Sequence, residues 1–185
     1  MMRIYLALLP AVLLATGGAA APGPSACSAQ VQPNPGFEHG SAGWTAGPRI
    51  VVLGTPERPA HTGRAYATFA GLDVSRTDLL RSTVTVPAGC GLEVRFQVRA
   101  TTTETSRGDY LNMGLAVSGE APKTRHSLAF DTGPAWRSLT ATANPATTER
   151  TATISFVGSE TAGAGVTAFD VDDVTATLVA PPATR

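Results

Sequence analysis

The stretch Leu92-Glu-Val-Arg-Phe-Gln-Val-Arg-Ala100 alternates without a break. Leu92, Val94, Phe96 and Val98 share one parity, and Glu93, Arg95, Gln97 and Arg99 share the other. Successive strand residues point to opposite faces, so this run has one face buried and one in water. On a helix the same residues would scatter around the whole circumference, leaving no apolar side. Tyr110–Val117 repeats the pattern, with Leu111, Met113, Leu115 and Val117 inward and Tyr110, Asn112 and Gly114 outward. Further strands are expected in "RIVVLG", "AYATFAG", "DLLRSTVTV", "RHSLAF", "WRSLTATA", "TATISFVG" and "VTAFDVDDVTATLV", separated by Gly, Pro, Asp and Ser clusters. No segment keeps a capped 3.6-residue apolar period, and there is no internal repeat. The fold class is therefore all-β, an antiparallel β-sandwich of the jelly-roll kind.

The chain opens with one positive charge, Arg3, then "LALLPAVLLA" and small residues. That layout predicts a secretory signal peptide over residues 1–21 and an exported protein, with no membrane span. Cleavage would leave 164 of the 185 residues: a short linker (22–26), one domain (27–179) and a flexible tail (180–185). Lipidation at Cys27 would call for a Leu three positions upstream, and Pro24 stands there instead. The mature chain would carry 13 bases against 14 acids, which predicts no preference for nucleic acid or anionic membrane. Of the 14 bases only Lys123 is a lysine, a coding bias that suits a GC-rich bacterial genome. Two cysteines in an exported chain read as one disulfide, Cys27–Cys90, with two separate buried thiols as the alternative.

Two acidic motifs stand far apart. In "VQPNPGFEHGSAGW" (31–44), Pro33 and Pro35 forbid a helix start, Gly36 permits an unusual turn, Phe37 is an apolar plug and Glu38 points away from it. Trp44 restarts the pattern where a strand should begin. In "FDVDDV" (169–174), Phe169 and Val171 share a parity, whereas Val174, Ala176 and Leu178 take the opposite one. Such a flip requires an extra residue, a β-bulge near Asp172 and Asp173. Three carboxylates at a bend call for a hard cation such as calcium, or they are solvated gatekeepers of a sheet edge.

Five segments in order resemble the galactose-binding-like β-sandwich of carbohydrate-binding modules, of the type in families four, nine and twenty-two. They are "NPGFEHG" with Trp44, "HTGRAYATF", "STVTVPAGCGLEVRFQVRA", "GPAWRSLTATA" and "DVDDVTATLV", and together they cover nearly all of residues 27–179. The resemblance implies a structural calcium ion joining the first and last strands. Glu38 and Asp172 would give side-chain oxygens, and backbone near the "PNP" turn and near Thr62 and Arg64 would complete the shell. Pro35 departs from the family's usual Gly.

Modules of this type stack rings on sugars. Phe37, Phe96, Phe130 and Phe156 sit at core parities, and Trp44 and Trp136 match family positions that pack inside. Tyr110 is thus the best outward ring. With Arg95, Gln97, Arg99 and Asn112 it would form one ligand face if the two strands are neighbours; a solvated sheet face is the alternative. Catalysis has little support. There is no G-x-S-x-G elbow, and His39, His61 and His126 lie apart without zinc-helix spacing. The expectation is a monomeric, non-catalytic module for a glycan, with a structural or protein-binding sandwich without sugar affinity as the alternative.

Overall fold

The computed structural model describes residues 27–104, 108–118, 120, 123–129, 133–163 and 165–182. The expected signal peptide and linker lie outside the described residues, as do Phe130 and residues 183–185. Ten strands follow one another: β1 (Thr45–Ala46), β2 (Val51–Leu53), β3 (Ala65–Ala70), β4 (Arg76–Val86), β5 (Gly91–Thr102), β6 (Tyr110–Val117), β7 (Lys123–Leu128), β8 (Arg137–Ala143), β9 (Arg150–Glu160) and β10 (Thr167–Val179). Among the described residues there is no α-helix, and none long and apolar enough to cross a membrane.

The strands form two five-stranded antiparallel sheets, ordered β1-β4-β9-β6-β7 and β2-β3-β10-β5-β8. Each long strand buries alternate residues between the sheets, as the apolar parity requires. Phe96 of β5 meets Phe156 of β9 edge-on at 5.1 Å, which joins the two sheets at their centre. Phe37, Phe69 and Phe169 are likewise fully buried.

The parity flip in β10 is a real break in register. β10 pairs continuously with β5 up to Asp172↔Gln97 and resumes at Thr175↔Arg95. Asp173 takes φ 48° there, in the left-handed region. Before the bulge, β3 covers the other edge of β10; beyond it the N-terminal segment does. Val31 N–H donates to Ala176 O at 2.7 Å, and Leu178 N–H to Ala29 O at 2.8 Å. The Cys27–Cys90 disulfide forms, with a Cα–Cα distance of 5.4 Å, and pins that segment beside the start of β5.

Candidate functional site

The two acidic motifs meet around residues 61–65. Glu38 Oε1 accepts from Arg64 N–H (2.8 Å) and Ala65 N–H (2.9 Å). Those amides hold its carboxyl below the usual range. Asp172 Oδ2 accepts from His61 N–H (2.8 Å) and Thr62 N–H (3.2 Å), and Oδ1 from Asp173 N–H (2.7 Å). Asp173 takes the Thr62 hydroxyl at 2.6 Å and the His61 Nδ1 at 2.5 Å. Pro35 O accepts from Val174 N–H, so the first turn lies directly against the bulge.

The structure thus brings Glu38, Asp172 and the Thr62–Arg64 backbone to one junction. Asp172 is fully buried, and desolvation lifts its carboxyl to about 6, with Asp173 adding repulsion and its three amide donors opposing. The loop offers those carboxylates N–H groups, where calcium would want carbonyl oxygens. Among the described residues no three His, Cys, Asp or Glu side chains are grouped to hold a metal. In charge the junction suits a cation: a desolvated carboxylate sits beside another, and its hydrogen bonds come from main-chain amides.

The five expected ligand-face residues do not share a face. β5 lies in the second sheet and β6 in the first, so Arg95, Gln97 and Arg99 face away from Tyr110 and Asn112. β5 pairs with β10 and β8, both remote in sequence, and is no neighbour of β6.

On the outer side of the second sheet, Arg99 is buried under the loop of residues 54–64. Asp170, fully buried, accepts from Arg58 Nε (2.8 Å) and Nη2 (2.7 Å) and from Arg99 Nε (2.8 Å). The Arg99 guanidinium lies 4.4 Å from the Trp136 ring centre and 5.3 Å from that of Tyr66. His61 from the loop meets the Trp136 edge at 5.7 Å. Trp136 is therefore outside the core, contrary to the expectation, while Trp44 is buried against Phe37. Tyr66 is almost fully buried, and desolvation and the Asp170 charge both raise its phenol. These groups fasten the loop and leave little surface for a ligand.

The outer side of the first sheet is open. A cavity of about 230 Å³ is lined by Asn112, Gly114, Lys123, Thr124, Ser155 and Val157. Gly114 forms its floor; a Cβ there would stand 2.7 Å from Ser155 Oγ. Asn112 Oδ1 is buried and has no hydrogen-bond partner. Tyr110, 39% exposed, and Leu79, 40% exposed, lie on the same outer face at one end of this groove. The outward parity of Ser155 and Val157 is readable in "TATISFVG"; their placement beside β6 is not.

No family model matches the sequence, and no curated protein matches it. Solved structures do. A family 61 carbohydrate-binding module, TmCBM61, solved with β-1,4-galactotriose, aligns with a TM-score of 0.58 at 24% identity over 83% of this chain and 99% of its own. A cyclase from Fischerella sp. gives 0.58 at 12% identity over 85% and 100%. A family 16 carbohydrate-binding module gives 0.51 at 15% identity over 79% and 98%. The fold is therefore the β-sandwich of carbohydrate-binding modules, which also carries a cyclase; fold alone does not choose between binding and chemistry. Families four, nine and twenty-two are not singled out by these matches.

Proposed function

We propose that this chain is a non-catalytic glycan-binding module whose ligand lies in the groove of the first sheet. The observation that carries this reading is the open groove itself, with the outward Tyr110 at one end and the unpartnered Asn112 Oδ1 on its wall. A sugar needs an apolar ring to cover its C–H face and fixed acceptors for its hydroxyls, and this surface has both. The galactotriose complex of TmCBM61 supports the same class of ligand. Arg95, Gln97 and Arg99 leave the ligand set, because they belong to the other face.

Soluble polysaccharides run in affinity gels test it. Wild type is retarded by at least one glycan, and Tyr110→Ala and Asn112→Ala each weaken retardation about tenfold, near the usual worth of a stacking or hydroxyl contact. Retardation untouched by both substitutions removes the groove from the reading. A second reading, a protein-binding or structural sandwich, draws on Leu79, Val157 and Tyr110, which together form an apolar strip on that face. Failure to bind any glycan favours it.

Two companion proposals belong to this reading. The chain is exported, as its apolar N-terminus and its disulfide suggest. A calcium ion binds at the junction of Glu38 and Asp172, completed by main-chain carbonyls of the Pro33–Pro35 turn. Its role is structural: it would neutralise the buried Asp172 and join it to the exposed Glu38, tying together two motifs far apart in the chain.

A further inference from the structure

The charge around the groove narrows its ligand. We propose that it takes an acidic glycan, a polysaccharide containing uronic acids; this rests on the glycan-binding reading above. Strands β4, β9 and β6 turn no carboxylate outward among the described residues. Their two acids point inward instead: Asp78 accepts from Arg76 and from Ala70 N–H, and Glu160 from Leu72 and Asp73 N–H. The outward set is Thr, Ser, Val, Leu, Tyr, Asn, Ala and Gly, with one cation, Arg81.

Arg81 stands in register with the groove. Its Cα pairs with Ser155, Ser155 with Gly114, and Gly114 with Thr124. Neighbouring strands are about 4.8 Å apart, so Gly114 lies about 10 Å from Arg81 across a row of small residues. An extended arginine spans most of that distance with nothing bulky beneath it. Arg81 is exposed and makes no ion pair with a described residue.

The opposite wall adds no charge to the groove. Lys123 pairs with inward Leu115 and meets the floor through its carbonyl oxygen, and Arg150, opposite buried Val86, holds Glu120, at 3.1 Å, away from this face. Arg81 is therefore the cation this face presents, with no outward carboxylate of β4, β9 or β6 to neutralise it. A uronate carboxylate held by Arg81 would gain charge-assisted hydrogen bonds while the sugar's hydroxyls reach Asn112 Oδ1.

The test compares one β-1,4-galactan before and after oxidation of its C6 hydroxymethyl groups to carboxylates, by titration calorimetry at low and high salt. Matched melting curves confirm that each variant is folded. The oxidised polymer binds about tenfold more tightly at low salt, and the advantage shrinks as salt screens it. Arg81→Ala lowers affinity for the oxidised polymer about fivefold and leaves the neutral one unchanged, while Arg81→Lys retains most of the advantage. Equal binding of the two polymers, or an equal loss for both in Arg81→Ala, overturns the acidic preference and leaves the glycan reading standing. If neither polymer binds, the acidic preference falls, and the glycan reading is decided by the affinity gels.

Discussion

Two glycines at the junction of the chain ends leave room for carboxylates. Gly63 has φ 62°, and a Cβ there would stand 2.3 Å from Glu38 Oε1. Gly36 has ordinary backbone, yet its Cβ would lie 3.4 Å from Asp173 Oδ1; the left-handed residue of that turn is Phe37, at φ 59°. Gly63→Ala should cost about 2 kcal/mol, combining left-handed strain with displacement of Glu38 from its two amides. An unchanged urea midpoint would show that the turn relaxes freely. Asp172 allows a pH test in chelator. Its folded carboxyl sits at about 6, above the ordinary value of 3.8, so the folded state holds the proton more tightly. Its contribution to stability is full below about pH 4 and is lost as pH rises through about 6. Wild type should show that loss and Asp172→Asn should not. Calcium at pH 7 should then raise the wild-type melting temperature and leave the variant unmoved. Identical wild-type melts with calcium and with chelator would eliminate the ion.

The bulge in β10 organises the elements around it. Before it, Asp170 fastens Arg58 and Arg99, and with them the loop of residues 54–64; at its start, Asp172 on the same face caps two amides of that loop. Asp170→Ala leaves the Arg99 guanidinium buried without its counter-charge and should cost about 3 kcal/mol. The loop should also open, so that Trp136 fluorescence shifts to the red; a variant with unchanged emission would show that ring contacts alone hold the loop. This element also shows what was legible in the residues. Alternation marked nine of the strands, and the parity flip from Val171 to Val174 located the bulge, because both are local consequences of a two-residue repeat. Sheet membership was not legible. β5 and β6 are consecutive and equally regular, yet they sit in opposite sheets. Their partners β10 and β9 lie far along the chain, and no local pattern records which strands pair. The groove was therefore half visible. Tyr110, Asn112 and Gly114 carried the outward parity, whereas Ser155 and Thr124 join them only through tertiary register.

At the scale of the molecule the disulfide decides which edge of β10 stays covered. β3 leaves that edge after Val171, and the segment from Ala29 to Val31 replaces it, held by Cys27–Cys90 across 63 residues of sequence. A loop of that length constrains the unfolded chain by about 4 kcal/mol in the chain-entropy account. The native sheet also depends on it, because a short segment held to β10 by two hydrogen bonds around one bridge gains too little to offset its own ordering. Reduction should therefore do two things. It should lower stability by about 4 kcal/mol in a denaturant titration, and it should release residues 27–31 before the rest unfolds. Hydrogen exchange separates the two effects: under native conditions in reductant, the Leu178 amide should lose protection while Phe156, on the central strand β9, keeps it. Equal protection at both sites would mean that the segment docks without its tether and that the disulfide acts on the unfolded state alone. Early loss at Leu178 would instead make the disulfide the guard of an exposed strand edge, which in an isolated sandwich is the surface most prone to pair with another copy.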